Sequence, residues 1–257
     1  LDELMRKKEE LCKVDKEIKT YKNIVAVSTL GGQNSVAWLT ESKLFKKTLP
    51  QKRHVNTLVD LIEELAREVK QDWQKVDLIV ADIGPASLTG VRVGLATCQG
   101  LSMPFNTTIW TRSHLEILAY QAFLARRSRI HSQFPCTYHV AEDARMQQVA
   151  YARFTQKEVT SRLHMHETIV LKSVDSCRES VTTIHKEKST NIYVGSGWSS
   201  YQIKTPEPML DDANISQQSE YSLAETMVLM ARNYAQTSSL DTVEANDLKA
   251  IYLRPAV

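Results

Sequence analysis

Cysteine is sparse and scattered in this chain: Cys12, Cys98, Cys136 and Cys177 stand far apart, and no CxxC pair occurs. That spacing excludes a zinc ribbon and a disulfide framework. A reducing cytoplasm is the setting it suits. Excess charge is lacking too, since 32 Lys and Arg against 30 Asp and Glu leave +2 over 257 residues. No strong field follows, so charge alone calls for neither nucleic acid nor membrane. No apolar run approaches the roughly 20 residues of a membrane span, and the charged N-terminus does not read as a secretory signal. Several enzyme motifs are missing. Gly84 to Gly90 is no P-loop, because the glycines are one residue too far apart and no Lys follows. No G-x-S-x-G elbow occurs, and no spacing of Ser, His and Asp marks a triad. These residues call for no cofactor and no metal. A hydrophobic content of 42% does suffice to fill one large domain or two modest lobes.

What is present centres on Val76 to Phe105, VDLIVADIGPASLTGVRVGLATCQGLSMPF. Val76 to Ile83 is an apolar, β-branched run of strand length. Gly84-Pro85 stops it. Ser87 or Thr89 then caps a helix over about Gly90 to Met103, its oxygen taking the free N–H groups of the first turn. Each Gly in a helix costs about 1 kcal/mol relative to Ala. Gly90, Gly94 and Gly100 together therefore predict that another backbone comes very close. Gly90, Gly94 and Thr97 form one ridge, with Val91, Leu95 and Cys98 on the next. Arg92 lies in the first turn, where the helix dipole disfavours a cation by some tenths of a kcal/mol. A fixed anionic partner is expected for it.

Leu1 to Lys22 is rich in Lys and Glu, with Leu4, Leu11, Val14, Ile18 and Tyr21 near heptad spacing. It reads as a charged amphipathic helix, either peripheral or docked on a partner. Asn23–Thr29, Gln33–Thr40 and Glu41–Leu49 form a strand meander turning at Gly31-Gly32. Arg53 to Gln71 predicts a helix with a stripe of Val55, Val59, Ile62, Ala66 and Val69, widened by Leu58, Leu61 and Leu65. His54, just before it, reads as a cap or packing residue. So wide an apolar face points to a second contact on another subunit, against the competing reading of a helix wedged between sheet and neighbour inside one domain. The candidate interface is accordingly Leu58, Leu61, Ile62, Leu65, Gly90, Val91, Arg92, Gly94, Leu95 and Cys98.

Thr107–Trp110 is a short strand, and a helix capped by Thr111 runs to about Arg127. Arg126, Arg127 and Arg129 suit its C-terminal dipole. Strands at Cys136–Ala141 and Val149–Phe154 flank Asp143-Ala144-Arg145-Met146, where Asp and Arg read as a turn fixed by a local ion pair. His164 and His166 face one side of a strand, but no third ligand stands at metal spacing. The strand Asn191–Val194 ends at Gly195-Ser196-Gly197-Trp198. This is either a nucleotide loop or a tight exit that lets Trp198 pack. Val174–Lys186 and Ser222–Gln236 are the remaining helices.

Gly84-Pro85-Ala86-Ser87-Leu88-Thr89-Gly90-Val91-Arg92-Val93-Gly94, followed by Gln99-Gly100-Leu101, resembles the signature of the TsaB (YeaZ) family. Ala86 and Leu88 stand where a Gly and a Phe are usual. Asp143 to Met146, Gly195 to Trp198 and Ala250 to Pro255 are similar to further family segments, so the resemblance spans Ile24 to Val257. It implies a two-lobed α/β fold of the actin/sugar-kinase/Hsp70 (ASKHA) kind, which the order of elements also suits. Residues 1–22 would lie outside the resemblance, 23–110 would form the N-terminal lobe and 111–257 the C-terminal lobe. The nucleotide site should be degenerate: Ser28-Thr29 replaces the family's Asp-Thr pair, and a hydroxyl is a poor substitute for a carboxylate on a hard metal. The resemblance implies a non-catalytic partner of TsaD, the enzyme that transfers a threonylcarbamoyl group to an adenosine beside the anticodon of certain tRNAs. TsaD binds metal through an H-x-x-x-H pair, and this chain has none. A TsaE-like ATPase would complete the set, tRNA would be met only through the complex, and the chain alone would form a homodimer. Two competing readings are an actin-like ATP-dependent phosphotransferase and a stand-alone homodimeric scaffold.

Overall fold

The computed structural model describes residues 19–50, 56–126, 135–158, 162–184, 190–205, 209–210 and 221–254. Residues 1–18 of the expected N-terminal helix, His54, Val55, Arg127 and Arg129 lie outside the described residues; residues 19–22, expected to end that helix, are not helical, and Tyr21 is buried in the core.

The first part of the chain runs β1 (Ile24–Ser28), β2 (Gln33–Leu39), β3 (Leu44–Pro50), α1 (Asn56–Val69), β4 (Leu78–Asp82), α2 (Leu88–Ser102), β5 (Ile109–Arg112) and α3 (His114–Arg126). The second runs β6 (Cys136–Asp143), β7 (Gln148–Gln156), β8 (His164–Met165), β9 (Val170–Ser173), α4 (Val174–Ile184), β10 (Thr190–Val194), α5 (Ser196–Ser200), β11 (Met209–Leu210), α6 (Leu223–Thr237) and β12 (Thr242–Val243).

Two six-stranded sheets result. The first has the order β12-β5-β4-β1-β2-β3. Within it β1, β4 and β5 are parallel, while β2, β3 and β12 are antiparallel to their neighbours. The second has the order β11-β10-β6-β7-β8, with β9 also paired to β7. Both sheets repeat one plan: a hairpin (β1–β2, β6–β7) whose first strand takes a parallel neighbour on its other side (β4, β10). This is the expected two-lobed α/β arrangement.

Every residue of β1 and of β4 is buried, without alternation. Helices cover both faces of a parallel core, so neither face needs polar residues. α1 packs on β2 and β3, α2 on β4 and β1, and α6 on β1, β2 and β4. α3 is buried from His114 to Leu124, apart from Glu116. Such a helix has no solvent face, and it sits between α6 and the strands β6, β7 and β10. One continuous apolar core therefore joins Val25, Trp38, Ile79 and Trp110 to Tyr138, Phe154 and Ile192. A smaller cluster gathers around Trp198.

Some boundaries differ from the sequence reading. α3 begins at His114 rather than just after Thr111: Thr111 belongs to β5, and Ser113 Oγ accepts the Glu116 amide (3.2 Å). α6 opens on a reciprocal cap, Ser222 Oγ accepting Glu225 N (3.2 Å) and Glu225 Oε2 accepting Ser222 N (3.3 Å). After β11 the chain also returns to the first lobe, because α6 covers the first sheet and β12 pairs with β5. A dividing line at 110/111 falls inside β5, and the return of α6 and β12 crosses it again.

Candidate functional site

The junction between β4 and α2 is built from polar groups that the sequence keeps 32 residues apart. Asp82 ends β4, where Oδ1 accepts Gly84 N (2.9 Å) and Oδ2 meets His114 Nδ1 (2.7 Å). His114 N donates to Gly84 O (2.8 Å). The two side chains are only 4% and 2% exposed. A buried pair this short is closed to substrate, so it fixes the turn rather than serving chemistry. Gly84 is at φ 80°, a conformation glycine takes without a Cβ penalty. Ser87 Oγ then accepts the Gly90 amide, as the cap reading expects.

The close backbone approach predicted from the helix glycines is real, and the approaching backbone belongs to this chain. A Cβ on Gly90 would stand 2.7 Å from Leu30 Cδ2 and 3.0 Å from Thr29 O. One on Gly94 would stand 3.2 Å from Thr29 Oγ1. Thr29 Oγ1 in turn donates to Gly90 O (2.6 Å). Ser28 and Thr29 are buried, and Ser28 Oγ lies 3.3 Å from the Leu30 amide it accepts. The Thr29 hydroxyl thus seats α2 against β1, while Ser28 Oγ holds the hairpin itself. Gly100 differs from the other two, as nothing lies within 4 Å of a Cβ placed there.

The ten residues expected at an interface fall unevenly. Leu58, Leu61, Ile62 and Leu65 are buried against β2 and β3, and Gly90, Val91, Gly94, Leu95 and Cys98 against β4 and β1. These nine form the core of their own lobe: Leu58, Leu61, Ile62 and Leu65 are used up by the sheet and its meander, whereas Val59 of the expected stripe is exposed. Burial, helped by the charge of Asp82, pushes the Cys98 thiol up to about 12. Of the ten only Arg92 is exposed, and it has no ion pair among the described residues. The outer faces of the same helices carry Val59 on α1 and Leu88, Arg92, Ala96, Gly100 and Met103 on α2, all exposed. Phe105, just beyond α2, is exposed as well.

In the second lobe the glycine turn is a packing device. A Cβ on Gly195 (φ 105°) would lie 2.4 Å from Ala141 O, and one on Gly197 would lie 2.9 Å from the same atom. Glu142 Oε1 accepts the Ser196 amide (3.0 Å) and Oε2 the Ser196 hydroxyl (3.0 Å). The chain's own carboxylate thus takes the amide that a phosphate loop would offer to a ligand. Trp198 is buried and donates from Nε1 to Val194 O (3.0 Å) and His139 O (3.2 Å). Of the two sequence readings, the tight exit is the one found.

Asp143 fixes the neighbouring hairpin. Its Oδ1 accepts Arg145 N (2.8 Å) and Tyr201 OH (2.7 Å), and Arg145 Nη1 stands 3.5 Å from Oδ2. That hydrogen bond to a carboxylate holds the Tyr201 phenol up. Arg145, Met146 and Gln147 follow at φ 65°, 54° and 57°. Left-handed backbone costs non-glycine residues roughly 1–2 kcal/mol each. Arg254 from the chain's last described stretch grips this tip. His164 and His166 have ring centroids 5.5 Å apart, and no group of three metal-ligating side chains occurs among the described residues. Sequence reasoning missed Asp82–His114 and Glu142–Ser196. The available signal was a polar residue at the end of an otherwise apolar strand.

A family model described as TsaD, tRNA N6-adenosine threonylcarbamoyltransferase, matches residues 39–245. The chain is similar to the tRNA threonylcarbamoyladenosine biosynthesis protein TsaB of Haemophilus influenzae, at 24% identity over 91% of this chain and 94% of that protein. Among solved structures it resembles YeaZ of Pseudomonas aeruginosa, with TM-score 0.70 and 22% identity over 90% of this chain and 100% of the other. A second Pseudomonas aeruginosa structure, described as an uncharacterized protein with similarity to peptidase YeaZ, gives TM-score 0.72 and 23% identity over 91% and 100%.

Proposed function

For a chain that belongs to the TsaD-type tRNA N6-adenosine threonylcarbamoyltransferase family and is similar to TsaB along nearly its whole length, we propose the role of non-catalytic partner. Its partner is a TsaD-like catalytic subunit, and the product is N6-threonylcarbamoyladenosine in tRNA. The observation that carries this reading is the self-filled state of the positions a nucleotide enzyme of this fold would keep open. Glu142 sits on the Ser196 amide, the Thr29 hydroxyl donates to Gly90 O of α2, and Ser28 Oγ accepts the Leu30 amide of its own hairpin. An anion arriving at Ser196 would meet a carboxylate already in place. The same facts weigh against a phosphotransferase.

The outer face of α2 supports the choice of docking surface. Leu88, Arg92, Ala96, Gly100 and Met103 recur every three or four residues and so share one side of the helix. Among the described residues nothing lies within 4 Å of a Cβ placed on Gly100. Arg92 offers a bidentate fork for a partner's carboxylate. A TsaD-like subunit docks here, and a second copy of this chain covers the face when that subunit is absent. A TsaE-like ATPase and tRNA join through the catalytic subunit.

Reconstitution tests the role. Transfer to tRNA is measured with this chain alone, with a TsaD-like subunit and TsaE-like ATPase but without this chain, and with all three. Product is expected only from the full set. Product from this chain alone would end the proposal.

A further inference from the structure

The last described residues of the chain cross from one lobe to the other. Ile251 N donates to Ile83 O (2.8 Å), in the loop between β4 and α2. Ile251 O also lies 3.7 Å from the place a Cβ on Gly84 would occupy. Three residues later Arg254 reaches the tip of the β6–β7 hairpin. Its guanidinium donates to Gln148 Oε1 (2.7 Å), Arg145 O (3.1 Å) and Met146 Sδ (3.4 Å). Three acceptors on one planar fork fix direction as well as distance.

The hairpin so gripped carries backbone strain. Arg145, Met146 and Gln147 are consecutive left-handed residues with no glycine among them; Asp143 accepts the amide of the first, Ala144 N–Gln148 O (3.0 Å) and Gln148 N–Arg145 O (3.1 Å) close the turn, and Val174 N donates to Gln147 O (3.1 Å). Met146 is 80% exposed, so no packing of its own side chain fixes the tip. Such a conformation persists only where the surroundings over-determine it. Arg254 adds to the backbone bonds the side-chain constraint from outside the hairpin, on Arg145 O, Met146 Sδ and Gln148 Oε1. At the other end the strap bears on the turn that sets α2: Gly84 O receives His114 N, and a Cβ on Gly84 would stand 3.2 Å from Val91 Cγ2.

We propose that residues 250–254 are a strap, with Arg254 as its buckle, that couples the start of α2 to the β6–β7 hairpin. Pressure on α2 shifts Gly84 and with it Ile251. The fork of Arg254 then tightens or releases the hairpin. The coupling gains its use from the docking of a partner on α2 and in that sense rests on the role proposed above. The strap itself is a property of the isolated chain.

Amide hydrogen exchange on the full chain, read residue by residue by NMR, tests it without any partner. In Arg254→Ala the amides of Ala144 and Gln148, which bond Gln148 O and Arg145 O, are expected to exchange at least tenfold faster. So is the amide of Ile251, in the other lobe, while β1 and β4 keep their protection. Gln148→Ala removes an acceptor in the second lobe only, and it too should speed exchange at Ile251. Ile251 unchanged in Gln148→Ala overturns the strap, and that variant alone decides if Arg254→Ala loses protection throughout β1 and β4. Failure here leaves the reconstitution result untouched, so the two readings fall separately.

Discussion

Glycines in this chain do three different jobs, and substituting each gives a different result. At Gly195 the φ of 105° and the Ala141 carbonyl 2.4 Å from a Cβ leave no room for a side chain. Gly195→Ala should cost about 3 kcal/mol or more, the range of a lost special conformation combined with overlap. At Gly90 the neighbour is the β1 exit, and Thr29 holds it there. At Gly100 there is open space, so alanine should gain roughly 0.5–1 kcal/mol from helix propensity. The isolated Gly100→Ala chain should melt about 1–4 °C higher, yet bind a TsaD-like subunit more weakly. A higher melting temperature with unchanged affinity would mean that no partner backbone approaches that point. The glycine positions themselves were legible in the sequence. Which backbone each one admits was not, because Thr29 and Gly90 lie 61 residues apart.

Helices α1 and α2 each have a face given to the sheet and a face left over. The apolar stripe of α1 is wide because it covers β2 and β3 together, and Leu61 is 2% exposed within the single chain. Leu61→Glu should therefore unfold the protein, since a buried unpaired carboxylate has no compensation. Ala96→Glu, on the exposed face of α2, should leave the far-ultraviolet circular dichroism unchanged and the stability within about 0.5 kcal/mol of wild type. It should abolish both self-association and binding of the TsaD-like subunit. Sedimentation and pull-down on a folded Ala96→Glu chain measure this, and intact association would place the docking face elsewhere. Hydrophobic periodicity located α1, and the Gly84-Pro85 stop with the Ser87 cap located α2. It could not divide the apolar positions between core and surface, because the number of strands a helix must cover is a property of the sheet.

The two sheets make one molecule rather than two beads. α3 is buried between them, the apolar core passes from Trp110 through Tyr120 and Tyr234 to Tyr138 and Phe154, and Arg162 of the second lobe bonds Ser238 O (3.1 Å) at the end of α6. Calorimetry should accordingly give a single cooperative unfolding transition, with calorimetric and van't Hoff enthalpies in agreement. Two resolved transitions would mean that the lobes unfold separately and that the shared core contributes little.

The sequence by itself determined the elements and the family resemblance. Strand-length apolar runs, the Gly84-Pro85 stop, the Ser87 cap and the Asp143–Arg145 turn are local, fixed by residues a few positions apart. Tertiary structure alone decided what those elements enclose. Asp82 meets His114, Glu142 closes the Ser196 amide, and Arg254 reaches back to Gln148. Each of these contacts joins segments brought together only by strand pairing and by a chain that returns to its first sheet, and no local pattern encodes such pairs.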